Sequence, residues 1–209
     1  MKNDKVLVVQ YAKWPELGKV KTRIAKTVGD KKALNIHLEL LKIVRANLAN
    51  SGSTEYQMWL SHDGFSHGDE TTQKLMSDIL QSDLQAYQVQ RGKDLGARMA
   101  NTFLDCLSFY SKVIIVGSDC PNVTGEVIEK ACVKLDDFDM VMQPAEDGGY
   151  VLIGARRFEK NTLDNIEWGQ GYVLHQTLKN LDEAGLSYAL LEQSWDVDEY
   201  EDYLRWQEN

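Results

Sequence analysis

The stretch Val113–Val116 constrains the fold of this chain most strongly, because it reads V-I-I-V and is followed by G-S-D-C-P. Four consecutive apolar β-branched residues are typical of a central strand in a parallel sheet, buried on both faces. Gly117 ends the apolar run, and Pro121 forbids further ladder pairing. Asp119 is therefore expected just past the carboxyl end of a buried strand, where open α/β sheets bind ligands. A metal-binding carboxylate and an Asx turn both suit that position.

A second apolar segment, Lys5–Tyr11, predicts another buried strand, and the loop that follows it is strongly basic. Residues 13–32 contain seven Lys or Arg and two acidic residues, a local balance of +5 in a chain of net charge −9. Such a loop suits a polyphosphate, although a solvated basic surface has the same composition. A Walker A loop is not indicated, because the second glycine before Lys-Thr is absent. The seven cations are Lys13, Lys19, Lys21, Arg23, Lys26, Lys31 and Lys32.

A glycine-containing basic segment, Arg91–Met99, predicts the start of a helix. Helix N-termini attract anions, and this one has two glycines and three cations close by. Arg98 is therefore a candidate ligand for the same anion. A surface ion pair is the alternative role for this side chain.

Two acidic motifs are further candidates. In P-A-E-D-G-G-Y, the Asp-Gly step between apolar runs predicts a hairpin, and Glu146 and Asp147 would suit hydroxyl or metal binding. In D-V-D, Asp196 and Asp198 follow the last predicted strand, although Asp198 could instead cap a helix. His62 and His67 lie in a polar loop that is more typical of a plain surface than of a metal site.

Composition narrows the class of protein. The chain has 209 residues, 43% of them hydrophobic, which predicts a single domain over residues 1–209. Three cysteines without C-x-x-C spacing, and no signal-peptide pattern, predict a cytoplasmic protein with free thiols. No apolar run is long enough to span a membrane, and the net charge of −9 speaks against nucleic-acid binding. Alternating strands and helices predict a three-layer α/β/α domain with a mixed, mainly parallel sheet.

Five motifs in one order carry a resemblance that covers nearly the whole chain. They are A-K-W-P-E-L-G-K-V-K-T-R, D-L-G-A-R-M, G-S-D-C-P, P-A-E-D-G-G-Y-V-L-I-G and D-V-D. The chain resembles a bacterial family of uncharacterised transferases with the glycosyltransferase-A (GT-A) fold, known as radical-SAM- and selenodomain-associated transferases. The family belongs to the nucleotide-diphospho-sugar transferase superfamily. W-G-Q-G around Trp168 departs from the more usual W-[SG]-T, which removes a hydroxyl there.

The resemblance implies a nucleotide over the amino-terminal half, with Lys13, Lys19, Lys21 and Arg23 of the basic loop near its phosphates. It also implies a Mg²⁺ or Mn²⁺ site formed by Asp119, Asp196 and Asp198, since hard oxygen ligands suit these ions. Asp119 would have a catalytic role there. The loop containing Glu146 and Asp147 would face the acceptor, and one of these two catalytic carboxylates would orient or deprotonate the acceptor hydroxyl. The implied partners are a nucleotide or nucleotide-sugar and a small hydroxyl or phosphate acceptor, with no nucleic acid and no membrane insertion. Homodimer formation is left open.

Two reactions and one non-catalytic role are compatible with these motifs. The superfamily favours glycosyl transfer from a nucleotide-sugar. The dense K-x-K-T-R loop favours nucleotidyl transfer with release of pyrophosphate, and it is similar to the K-S-R-L loop of phospholactate guanylyltransferases. A nucleotide-sensing protein is the third hypothesis, but such a protein has no need of three positioned carboxylates.

Overall fold

A single seven-stranded sheet with helices on both faces forms the described part of the chain. The computed structural model describes residues 3–49, 54–61, 70–80 and 87–208. The strands are β1 (Asn3–Lys13), β2 (Thr54–Ser61), β3 (Tyr87–Val89), β4 (Tyr110–Gly117), β5 (Met140–Pro144), β6 (Tyr150–Ala155) and β7 (Tyr188–Leu190). The helices are α1 (Thr22–Val28), α2 (Asp30–Ala49), α3 (Glu70–Leu80), α4 (Leu95–Cys106), α5 (Gly125–Asp137), α6 (Val173–Glu183) and α7 (Tyr200–Gln207).

The strand order is β3-β2-β1-β4-β6-β5-β7, with β4 in the centre and β1 beside it. β6 runs antiparallel to both β4 and β5, while the other strand pairs are parallel. The predicted hairpin is the β5–β6 connection. The prediction of a mixed, mainly parallel sheet with β4 at its centre is confirmed.

Apolar side chains on β1 and β4 alternate between two cores, because successive residues of a strand point to opposite faces. Leu7 and Ile115 face the side covered by α4 and α6, whereas Val8 and Ile114 face the side covered by α2 and α5. Both faces are therefore buried, which explains why the strand sequences show continuous apolar runs. The three-layer α/β/α arrangement follows from this double coverage.

One local feature differs from the sequence-based expectation. The basic segment after β1 was expected to be a loop, but α1 begins at Thr22. Thr124 is the N-cap residue of α5, and its side chain makes no capping hydrogen bond. None of the described helices combines the length and apolar character needed to span a membrane.

Candidate functional site

Two adjoining pockets open at the carboxyl ends of β1 and β4, the edge predicted from Val113–Pro121. One, the basic pocket, has a volume of about 490 Å³, and its lining includes Lys13, Lys21, Arg23, His37, Arg98 and Asp198. The other, the acidic pocket, has a volume of about 220 Å³, and its lining includes Met99, Asp147, Tyr150, Trp168, Val173 and Asp196. Tyr11, Leu95, Gly117 and Asp119 line both. Asp119 therefore stands at the junction of a cationic and an acidic compartment.

Asp119 is held in place by Lys21. The Lys21 ammonium lies 2.7 Å from Asp119 Oδ2 and donates to the Val197 carbonyl at 2.6 Å, and its side chain is only 3% exposed. Burial raises the pKa of Asp119, but Lys21 and His37 outweigh that effect and hold the pKa below its usual value. Lys21 also adopts a left-handed backbone conformation, with φ of 48°, at the N-cap of α1. Such strain in a buried charged residue is typical of functional sites.

The W-D-V-D segment reaches the site because its apolar residues are anchored. Trp195 and Val197 are buried in a small core with residues of α1 and α2. The Val197 amide donates to the Asp119 carbonyl at 2.8 Å, which ties the segment to the end of β4. Because successive residues of an extended segment point to opposite sides, Asp196 and Asp198 lie on the side away from this core.

Asp196 and Asp198 take different places. Asp196 lines the acidic pocket, whereas Asp198 lines the basic pocket and pairs with Arg23 at 2.9 Å. Burial, followed by repulsion from Asp147 and Asp119, raises the pKa of Asp196 to about 6. Negative charge is therefore concentrated around Asp196, where Asp147 and Asp119 act on it most strongly and Asp198 acts less.

The carboxylates at this junction fit a divalent cation. Within the described ranges, no three His, Cys, Asp or Glu side chains form a ready-made metal cluster. However, Asp119 Oδ1 is buried and has no hydrogen-bond partner, and the charge of Asp119 is close enough to raise the pKa of Asp196. Mg²⁺ is commonly bound by one or two carboxylates together with phosphate oxygens of the substrate. Asp119 and Asp196 match that donor set.

The predicted phosphate ligands divide into three groups. Lys13 and Arg98 line the basic pocket, and neither makes an ion pair with a carboxylate among the described residues. Lys21 and Arg23 also line it, but both are bound to acidic side chains. Lys19 pairs with Glu16 at 2.8 Å and lines neither pocket. The free cationic charge of the pocket therefore comes from Lys13 and Arg98.

The helix that carries Arg98 has an occupied N-terminus. Asp94 is the N-cap of α4, and its Oδ1 accepts from the Ala97 amide at 2.8 Å. The expected anion site at this helix end is thus filled by the chain's own carboxylate. Arg98 lines the basic pocket, and its Nε donates to the Gly92 carbonyl at 3.4 Å.

The two acidic residues of the β5–β6 loop separate. Asp147 lines the acidic pocket, where its Oδ1 accepts from the Gly149 amide at 2.8 Å. Glu146 lines neither pocket, and both its oxygens accept from Arg205 of α7, at 2.8 and 3.2 Å. The hydrogen bond from Arg205 lowers the pKa of Glu146.

Trp168 and Tyr150 form an aromatic wall of the acidic pocket, with their rings edge to face at 6.3 Å. Gly96 permits this packing, because a Cβ there would lie 2.8 Å from Trp168 Cζ2. Cys120 lines the same pocket, but burial, with Asp196 and Asp119 nearby, raises the pKa of its thiol well above the usual value. Cys120 is therefore a protonated wall residue.

Several lining residues were not predicted. Tyr11 and Ser61 lie at the carboxyl ends of β1 and β2, so the rule that pointed to Asp119 could have found them. His37 lies inside α2 and has no comparable sequence signal. His62 and His67 lie outside the described residues.

Comparison with known proteins agrees with this architecture. A family model described as "Uncharacterized protein conserved in bacteria (DUF2064)" matches residues 46–170. The chain belongs to this family. A protein from Desulfovibrio desulfuricans G20, described as a "putative nucleotide-diphospho-sugar transferase", is 30% identical with a TM-score of 0.81; the match covers 94% of this chain and 84% of the other.

Two more distant structures share the fold alone. CMP:2-keto-3-deoxy-manno-octonic acid synthetase in complex with CTP is 14% identical, with a TM-score of 0.55 and coverage of 98% of this chain and 100% of the other. Rv0371c from Mycobacterium tuberculosis H37Rv in complex with manganese is 13% identical, with a TM-score of 0.55 and full coverage of both chains. A search of curated protein sequences gave no match.

Proposed function

We propose that this DUF2064 protein is a divalent-metal-dependent transferase that moves a glycosyl group from a nucleotide-diphospho-sugar to a small acceptor. The observation that carries the proposal is the position of Asp119, between a basic pocket with free cations and an acidic pocket without them. The likeness to the Desulfovibrio protein, at 30% identity over most of both chains, supports the class of donor.

In this proposal the donor phosphates bind in the basic pocket. Lys13 and Arg98 would pair with the phosphate oxygens, since neither has a carboxylate partner among the described residues. Lys21 would remain on Asp119 Oδ2 and fix the carboxylate so that Oδ1 faces the junction. A bound Mg²⁺ or Mn²⁺, held by Asp119 and Asp196, would neutralise the charge that develops on the leaving phosphate. Asp198 and Arg23 would brace the rim of the pocket through their ion pair.

The acceptor would bind in the acidic pocket against Trp168 and Tyr150. Asp147 is the carboxylate of the β5–β6 loop that lines this pocket, so we assign it the task of orienting or deprotonating the acceptor hydroxyl. It would need to come within about 2.6–3.2 Å of that hydroxyl in the complex. Glu146 has a structural role in the loop and no part in the reaction, because Arg205 already occupies both its oxygens.

Nucleotidyl transfer is the second candidate, because four cationic side chains line the basic pocket and would suit a triphosphate. In nucleotidyl transfer, an acceptor oxygen would attack the α-phosphorus and pyrophosphate would be released. Glycosyl transfer would release a nucleoside diphosphate.

One experiment separates the two reactions. The protein is incubated with Mg²⁺ or Mn²⁺, a pool of nucleoside triphosphates and nucleotide-sugars, and a mixture of small alcohols, sugars and amino alcohols. A nucleoside diphosphate released from a nucleotide-sugar, and lost in Asp119→Asn, is the expected product. Asp119-dependent pyrophosphate would overturn the first choice in favour of the second. Asp105→Asn, which removes a carboxylate paired with Arg91 outside both pockets, is the matched control.

A further inference from the structure

The acidic pocket is unusual for its charge. Asp119, Asp147 and Asp196 line it, and none of the described residues in its lining is Lys, Arg or His. Asp119 is compensated by Lys21, but Asp147 and Asp196 make no ion pair within the part of the chain that the structure describes. Two carboxylates therefore face this pocket without an ion-pair partner among the described residues.

The remaining lining is largely apolar and aromatic. Met99, Ile115 and Val173 line it together with the edge-to-face pair of Tyr150 and Trp168. A ligand of this pocket therefore meets carboxylates at one part of its surface and a ring face elsewhere. Low-dielectric walls strengthen the effect of the uncompensated charge.

The N-terminus of α6 offers no anion site at its first two residues. α6 begins at Val173, but the Val173 amide donates to the Gln170 carbonyl at 3.3 Å, and the Leu174 amide donates to the Gly148 carbonyl at 3.0 Å. These amides are therefore not free to bind a phosphate or a carboxylate. The N-terminus of α4, which borders the pocket at Leu95, is capped by Asp94, and the described lining has no cationic side chain.

We infer that the acidic pocket selects a small hydroxyl compound that has an apolar or aromatic face and no anionic group, and that it prefers an amine-bearing compound to a neutral one. The inference rests on the proposed function, in which this pocket holds the acceptor. It narrows the acceptor to alcohols and amino alcohols and excludes phosphorylated or carboxylated ones. An ammonium group would pair with Asp147, whose charge remains when Asp119 and Asp196 hold a cation.

Three probes of nearly equal shape test this selection: tyramine, tyrosol and 4-hydroxyphenylacetate, which carry charges of about +1, 0 and −1 at neutral pH. Binding to the full chain in excess Mg²⁺ is measured by titration with ligand-observed NMR. We expect tyramine to bind about tenfold more tightly than 4-hydroxyphenylacetate, with tyrosol between them. Equal or tighter binding of the anion, or no binding of any probe, would overturn the inference.

Asp147→Asn and Glu146→Gln form a matched pair of variants, since each removes one charge from the same loop. Asn keeps an oxygen to accept from the Gly149 amide, so the turn should persist. Asp147→Asn is expected to reduce the preference for tyramine to about twofold or less, while Glu146→Gln should preserve it, because Arg205 holds Glu146 outside the pocket. An unchanged preference in Asp147→Asn would show that the probes bind elsewhere.

Nucleotide binding is measured on the same samples, so that two failures can be told apart. If nucleotides bind with Mg²⁺ but the probes show no charge order, the acceptor inference fails alone. If the charge order is present and no nucleotide binds, the proposed transferase function fails and the pocket selectivity stands.

Discussion

Lys21 is the residue whose removal should damage the site most. Its ammonium is almost fully buried between Asp119 and the Val197 carbonyl, so it joins α1, the end of β4 and the D-V-D segment. Removing one partner of a buried ion pair leaves the other uncompensated, at a cost of about 3–5 kcal/mol. Asp119 is 38% exposed, and solvent will reduce this cost to about 2–3 kcal/mol.

We therefore expect Lys21→Met to lower the free energy of unfolding by about 2–3 kcal/mol in urea titrations without added metal. Lys19→Met is the control, because Lys19 is 58% exposed in its pair with Glu16. That change should cost less than about 1 kcal/mol. Similar losses in the two variants would mean that the Lys21–Asp119 pair contributes no more than a surface pair.

His37 should make stability depend on pH. Burial lowers its pKa, and its Nε2 lies 3.1 Å from the Lys13 carbonyl, to which it donates. The folded pKa lies below the unfolded value of about 6.5, so above that pH His37 is neutral in both states and the free energy of unfolding has its full value. As the pH falls towards the folded pKa, the free energy of unfolding decreases by up to about 1.4 kcal/mol per pH unit.

Urea titrations of the wild type and of His37→Gln, at about pH 7.5 and about pH 5.5, test this dependence. Other titrating groups are common to both proteins, so the difference between their losses isolates His37. We expect the wild type to lose roughly 1 kcal/mol more than the variant on acidification. Equal losses would assign the pH dependence to other groups.

At the scale of single residues, the sequence predicted which residues lie at the carboxyl edge of the sheet better than it predicted their ion-pair partners. Asp119 lies where a carboxylate after a buried strand should lie. Its pairing with Lys21, and that of Arg23 with Asp198, joins residues separated by 98 and 175 positions, which no local pattern encodes. Glu146 and Asp147 are adjacent, and only the packing of α7 against the loop sends one to Arg205 and the other into the pocket.

At the scale of elements, the β5–β6 loop is locked against the Trp168–Gly171 segment. Gly148 has φ of 85°, and a Cβ at this position would lie 2.0 Å from the Gly171 carbonyl oxygen. Gly29, the C-cap of α1, has φ of 81° with nothing within 4 Å of the added Cβ. The two glycines therefore share a positive φ, which strains any residue with a Cβ, and they differ in the clash.

Gly29→Ala should accordingly cost about 1–3 kcal/mol, from the backbone strain alone. Gly148→Ala should cost at least about 1 kcal/mol more and change the tryptophan fluorescence, because the segment that carries Trp168 has to move. Urea titration and fluorescence spectra of the two variants check both expectations. Equal costs and unchanged spectra would indicate that the two segments do not pack this closely.

Element prediction succeeded where a pattern was long and failed where it was short. β1 and β4 were recognised from their apolar runs, although each strand extends beyond its run, over Asn3–Lys13 and Tyr110–Gly117. α1 was missed, because its seven residues follow Pro15 and Gly18 and it buries only Ile24 of its own sequence. Such a helix depends on tertiary contacts with α2 and α7 and has little amphipathic signal.

At the scale of the molecule, the net charge and the local charge oppose each other. The chain carries −9, yet Lys13, Lys21, Arg23 and Arg98 line one pocket at the carboxyl edge of the sheet. The Debye length is about 8 Å at physiological ionic strength, so an anion entering the pocket responds mainly to the charges that line it. Local cations should therefore govern phosphate binding despite the overall repulsion.

Inorganic triphosphate, which has no base or sugar, tests this balance by calorimetric titration with Mg²⁺ over a range of NaCl concentrations. We expect its affinity to fall as salt rises, because close charge pairs are screened. Lys13→Met and Arg98→Met should each weaken binding about tenfold at low salt and flatten the salt dependence. Lys19→Met changes the net charge by the same amount but lies outside both pockets, so its affinity and salt dependence should match the wild type. An equal effect of all three variants would show that net charge governs binding, and the basic pocket would then lose its role in the proposed reaction.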